Sequence, residues 1–177
     1  MAREIYEWIK SIALAIILAI IIKTFIFNTT YVIGTSMNPT LQETDRLFTN
    51  KIVYRISEPK RRDIVVLKAP DEPKKDYIKR VIAVEGDLVE IKNGKVYVNG
   101  EELKETYIHK DIQTGEYIKT LGNIKLKVPE NYVYVLGDNR YRNASKDSRY
   151  FGPVPIKSVK GKAFFRFYPF DRFGSIH

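Results

Sequence analysis

From Ser11 to Ile22 the chain carries no formal charge and is almost entirely Ile, Leu and Ala. At ~1.5 Å per residue that run spans about 18 Å, short of a ~30 Å hydrocarbon core. Extending it from Trp8 to Phe27 gives about 30 Å of helix. Lys10 and Lys23 can snorkel outward, and Tyr6, Trp8 and Phe27 suit the interfaces. The pattern predicts a transmembrane helix over 8–27 behind a short N-terminus, 1–7. A cleaved signal peptide uses a similar apolar run, but no Ala-x-Ala-like site follows closely, and cleavage near Gly34 would cut beside Ser36.

Beyond residue 27 the hydrophobic period falls to two, the spacing of strands. Short strands are predicted over 46–48, 51–54, 63–67, 77–84, 89–92, 95–98 and 132–136. Asn93-Gly94 between two of them suits a type I′ hairpin turn. The stretch 101–128 is more polar, and the aromatics of 159–168 read as core filling. In 77–84, alternation sets Tyr77, Lys79, Val81 and Ala83 on one face and Ile78, Arg80, Ile82 and Val84 on the other. Both faces are mainly apolar, so the strand is expected to be covered on both sides. Two adjacent cations in a covered strand need partners or a task.

Composition narrows the chemistry. The 177 residues contain no cysteine, which excludes disulfides and thiolate metal sites. His109 and His177 are the only histidines, so a Ser-His triad or a multi-histidine zinc site is poorly supplied, and no metal or cofactor is expected. His109, beside Lys110, reads as an exposed histidine. The net charge of +9 favours anionic lipid or nucleic acid, or serves solubility alone. No recognised nucleic-acid motif accompanies it. Charge does not decide orientation, since long domains translocate largely regardless of it.

Candidate chemistry starts at Gly34-Thr35-Ser36-Met37-Asn38-Pro39-Thr40-Leu41, a serine among turn-forming residues shortly after the apolar helix. Alone it is ordinary loop chemistry. With histidine scarce, a base for Ser36 has to be sought elsewhere, and a lysine serves only when neutral. At a pKa of about 10.4, roughly one lysine in 2,500 is neutral at pH 7. Burial that lowers this by ~2–3 units, about 3–4 kcal/mol, removes most of the handicap.

The motifs also fall in a telling order. After the Ser36 stretch come Arg62-Asp63-Ile64-Val65-Val66, Asp76-Tyr77-Ile78-Lys79-Arg80-Val81 and Gly86-Asp87. Gly137-Asp138-Asn139-Arg140 and Ser145-Lys146-Asp147-Ser148-Arg149-Tyr150-Phe151-Gly152 complete the set. Together they closely resemble the type I signal peptidases, membrane-anchored serine proteases with a Ser/Lys dyad, in their compact single-anchor Gram-positive form. The resemblance spans most of 8–165.

The resemblance implies a mainly β fold: an antiparallel β-sheet catalytic core over 28–91 and 132–177, a peripheral β-rich lobe over 92–131, and one transmembrane α-helix. It implies Ser36 as nucleophile, Lys79 as general base and Ser145 as the hydroxyl orienting that lysine. The covered strand around Lys79 offers the burial that such a base needs, and Arg80 adds repulsion there, which pairing with Asp147 would offset in part. Arg80, Asp147 and Arg149 match a supporting charge network, and Val32, Met37, Leu41, Tyr77 and Ile78 match the lining of small substrate pockets. The implied activity is removal of signal peptides from secretory pre-proteins after small residues at −1 and −3. The enzyme would work as a monomer at the lipid bilayer, its short N-terminus (1–7) cytoplasmic and its catalytic domain on the extracellular face, with no nucleic acid involved. Gly34 stands where some members carry a serine that aids the oxyanion hole, Arg62 stands where glycine is frequent, and Tyr141-Arg142 resembles an insertion before Ser145. Two other readings stay open: a different Ser/Lys protease of the self-cleaving kind, and a non-catalytic membrane-tethered basic β-domain.

Overall fold

The computed structural model describes residues 1–21, 27–109, 112–114 and 124–177. Helix α1 (Ala2–Ile21) leads into β1 (Phe27–Tyr31), β2 (Arg46–Asn50), a short α2 (Val53–Ile56), β3 (Ile64–Lys68) and β4 (Asp76–Ala83). Next come β5 (Leu88–Lys92), β6 (Lys95–Val98), β7 (Glu101–Glu102), β8 (Ile124–Lys127) and β9 (Tyr132–Leu136). The chain closes with α3 (Ser148–Phe151), β10 (Val154–Pro155), β11 (Val159–Tyr168) and β12 (Gly174–Ser175). The fold is mainly β and its strand pairs are antiparallel.

The larger sheet runs β1-β2-β11-β3-β4-β9-β10, with β12 added to β11. Strand β4 is central, flanked by β3 and β9, and is buried from Lys79 to Ala83. Its two faces meet different apolar clusters. Val81 packs with Val65, Leu67, Val133 and Val135, while Ile82 packs with Val89, Val96, Tyr134 and Leu136. A two-sided covered strand follows directly from its near-continuous apolar run.

The smaller sheet runs β7-β6-β5-β8. The Asn93-Gly94 turn has φ of 51° and 74°, the left-handed pair that a type I′ hairpin requires. The division expected at residue 92 therefore falls inside a hairpin: Leu88–Lys92 pairs with Lys95–Val98 and belongs to the smaller sheet. The expected strand over 51–54 is also replaced. Asn50 Oδ1 accepts from the backbone N–H groups of Ile52 (3.0 Å) and Val53 (3.1 Å), turning the chain into α2 instead.

Helix α1 begins at Ala2, earlier than expected, and residues 22–26 of the anticipated span lie outside the described residues. Among the described residues no helix is long and apolar enough to cross a membrane. Arg3, Glu4, Glu7 and Lys10 all fall in the first half of α1. Its apolar side chains are nevertheless exposed, Leu14 at 63% and Leu18 at 54%, so the β-domain does not cover them.

Where β11 crosses β2, Gly161 is buried, and a Cβ added there would lie 2.5 Å from the Asn50 carbonyl oxygen and 2.9 Å from Thr49 Cγ2. Backbone cannot yield as a flexible side chain can. Gly161→Ala is therefore expected to cost about 1–3 kcal/mol. The check is a urea midpoint that falls while the slope of the transition stays constant.

Candidate active site

The Ser36 turn hangs from β1 and is tied at both ends. Val32 N–H donates to Asp45 O (2.9 Å), and Leu41 N–H donates to Met37 O (2.9 Å). Beneath it, Val32, Met37 and Leu41 pack with Leu47, Ile64, Ala163 and Ile176 in one apolar cluster, with Ile78 against its edge. These small and medium side chains anchor the turn from below, leaving Ser36 half-buried above. Gly34 has φ of +83°, a conformation that glycine adopts without strain and a serine would not.

Strand β4 brings Lys79 to this turn. Lys79 Nζ lies 2.8 Å from Ser36 Oγ and donates to Ile78 O at 3.0 Å. The lysine is only 2% exposed. Burial pushes its pKa down to about 8, although Asp147 and Asp138 act against that shift. Among the described residues it forms no ion pair. Its amine is thus placed to accept a proton from the serine hydroxyl once neutral.

The loop after β9 completes the arrangement. Asn139 N–H donates to Ser36 O (3.0 Å), and Asn139 Nδ2 donates to Thr35 O (3.0 Å). Gly137 makes the close approach possible, since a Cβ there would collide with Ser36 O and Ser145 Oγ. Asp147 is fully buried. Burial pushes its carboxyl up, but Arg149 and the Gly137 N–H (3.0 Å) more than offset this and hold it below the usual carboxylate range. Arg149 reaches both carboxylate oxygens, at 2.9 and 2.8 Å. Asp147 also caps α3, accepting from Arg149 N–H.

Arg80, on the opposite face of β4, does not pair with Asp147. Its guanidinium makes a bidentate contact with Asp138 at 2.8 and 2.7 Å, and both groups are buried. The reason is topological. The register places Arg80 opposite Leu136, so Asp138 follows only two residues later on the side that Arg80 faces. Asp138, and the fully buried Arg140, were missed as site residues although both stand in the quoted motif. The available signal was that a buried arginine beside Lys79 needs a carboxylate close in the fold.

Ser145 departs most from expectation. It is 2% exposed, but among the described residues its Oγ has no hydrogen-bond partner. Lys79 Nζ instead directs its hydrogen bonds to Ser36 and Ile78. The hydroxyl lies beside Gly137, and the contact to Lys79 implied for it is not made.

A cleft of about 760 Å³ opens beside the pair, between residues 28–33 on one side and 74–79 on the other. Val32, Met37, Tyr77 and Ile78 line it with Ser36 and Lys79, while Leu41 lies beneath, fully buried. Tyr77 donates its hydroxyl to Glu72 (3.0 Å), and its ring lies 5.1 Å from Lys79 Nζ.

A hydroxyl against a buried amine, beside a cleft with extended walls, is the equipment of a serine hydrolase. The family model "Signal peptidase, peptidase S26" matches residues 5–168. The signal peptidase I of Bacillus licheniformis is 40% identical over 173 residues, covering 96% of this chain and 91% of that protein. A probable signal peptidase I-2 from Synechocystis sp. is 44% identical over 93% of this chain and 74% of its own length. A signal peptidase IB from Staphylococcus aureus is 40% identical over 98% of this chain and 94% of its own. The chain belongs to the S26 signal peptidase family and is a serine endopeptidase.

The buried amine has a consequence for stability. Below pH 8 both folded and unfolded states hold the proton, and the folded state bears the full cost of a buried cation. Between pH 8 and about 10.4 the folded state releases it first, and that cost fades as pH rises. Lys79→Met is therefore expected to stabilise the fold by about 3 kcal/mol at pH 7. Its advantage should shrink steadily from pH 8 to 10. Denaturant titrations across that range would measure it, and an advantage independent of pH would contradict the assignment.

Proposed function

We propose that this protein removes signal peptides from secretory pre-proteins at a membrane surface, using Ser36 as nucleophile and Lys79 as general base. The observation that carries the reading is the 2.8 Å contact between Ser36 Oγ and a buried Lys79 Nζ whose pKa is pushed down to about 8. Neutral Lys79 takes the Ser36 proton as the oxygen attacks the scissile carbonyl. The Ser36 N–H stabilises the oxyanion. Lys79 then protonates the leaving amine and activates the water that releases the acyl-enzyme.

The cleft supports an extended substrate. Strand β1 is the edge of its sheet, and β4 pairs with β9 only from Arg80 onward, which leaves Asp76–Lys79 unpaired by β9 on that side. Two strand edges thus face the cleft and offer main-chain hydrogen bonds to a peptide laid between them. Val32, Met37, Tyr77 and Ile78 line the cleft beside Ser36, where the residues at −1 and −3, both small in this reading, would sit. Anchoring fits the same picture. The exposed apolar side chains of α1 suit lipid, and only residues 22–26 separate that helix from the strand that walls the cleft. A pre-protein cut just beyond its own membrane segment, on the extracellular face, would meet Ser36 there. Asp147, Arg149 and Arg80 keep the surrounding charges paired.

Purified protein should convert a signal-bearing pre-protein to its mature size. Ser36→Ala and Lys79→Ala should each lower kcat/KM about a thousandfold or more while the domain stays folded. Below pH 8 the rate should fall about tenfold per pH unit, levelling off above 8, because only the neutral amine acts. Full activity in either variant, or a rate that keeps climbing toward pH 10, would sink the dyad.

A further inference from the structure

We infer that Glu105 and Tyr107, on the segment following β7, are positioning residues for the Ser36–Lys79 pair; the inference rests on the dyad reading above. The segment falls in the lobe over 92–131 that the resemblance makes peripheral. Its side chains reach the backs of both halves of the site.

Arg140 is the first link. Its guanidinium is fully buried and donates from Nε to Gly137 O at 2.7 Å. On its far side it is gripped by Glu105, with Nη1 at 3.0 Å from Oε2 and Nη2 on Oε1, and by Thr114 Oγ1 at 2.9 Å. Gly137 opens the loop whose Asn139 N–H holds Ser36 O. Glu105 therefore acts through Arg140 on the loop that fixes the serine turn.

Tyr107 is the second link. Its hydroxyl donates to Glu105 Oε1 (2.9 Å), and its ring lies 3.9 Å from the Arg80 guanidinium carbon. Arg80 is the neighbour of Lys79 on β4 and is bound to Asp138 in that same loop. Glu105 and Tyr107 thus brace the lysine strand and the serine loop together. A buried guanidinium left without its carboxylate is strongly disfavoured. Without Glu105, Arg140 would turn toward water and release Gly137 O. A displacement of about 1 Å between reacting atoms costs on the order of a hundredfold in rate.

The test compares full-length wild type with Glu105→Gln, Tyr107→Leu and Tyr107→Phe on a signal-bearing pre-protein, at temperatures where circular dichroism shows each variant folded. Glu105→Gln and Tyr107→Leu should lower kcat about tenfold to a hundredfold, with KM within about threefold. Tyr107→Phe, which keeps the ring over Arg80, should recover most of the loss seen with leucine. Wild-type kcat in folded Glu105→Gln and Tyr107→Leu, or losses that merely follow the unfolded fraction, would overturn the inference. Should Glu105→Gln fail to fold, the pair Glu105→Leu with Arg140→Met removes both buried charges; wild-type kcat in that folded pair would overturn it equally. Ser36→Ala runs alongside. Cleavage by that variant refutes the dyad itself, whereas an inactive Ser36→Ala beside a fully active Glu105→Gln refutes only the positioning role.

Discussion

Keeping one amine dry beside one hydroxyl is the constraint around which this domain is arranged. Lys79 sits among three buried arginines, and each of those has its own carboxylate: Arg80 with Asp138, Arg140 with Glu105, Arg149 with Asp147. Lys79 alone among these four cations lacks one among the described residues. A carboxylate in contact would favour its charged form, whereas desolvation favours the neutral one. The arginines absorb the nearby negative charge, leaving burial as the largest influence on the lysine.

Strand order explains how residues so far apart in sequence share this site. Because β3, β4 and β9 are antiparallel neighbours, the end of β9 is delivered beside Arg80, and the loop that follows can turn back onto Ser36. Alternation along β4 then separates two tasks: Lys79 points toward the serine turn, and Arg80 toward the loop's acid. One strand thus supplies the buried amine and the clamp that holds its surroundings. A slip of one residue would exchange the two faces and undo both placements.

Much of this was legible in the sequence, and for stateable reasons. The apolar flanks of Lys79 revealed a covered strand because side-chain alternation is local. Asn93-Gly94 revealed its hairpin because the turn demands positive φ. What escaped was non-local. Choosing Asp138 over Asp147 as the partner of Arg80 required the β4–β9 register, which no single strand pattern carries. Glu105 lay in a polar stretch that looks solvated until the fold lays it against Arg140. The helix at Val53–Ile56 escaped because β-branched residues favour strands, and the turn that the Asn50 side chain holds overrode the preference.

Gly137 shows how little slack the arrangement has. Its φ is not positive, so conformational freedom is not the reason for glycine here; proximity is. Any side chain would strike both the Ser36 carbonyl and Ser145. The loop would have to retreat, lengthening the Asn139–Ser36 bond that fixes the serine turn. The same glycine accepts from Arg140 and donates to Asp147, so retreat would also loosen two buried charge networks. One missing methyl group therefore allows the serine turn, the loop and the buried ion pairs to close on each other, with Lys79 enclosed between them.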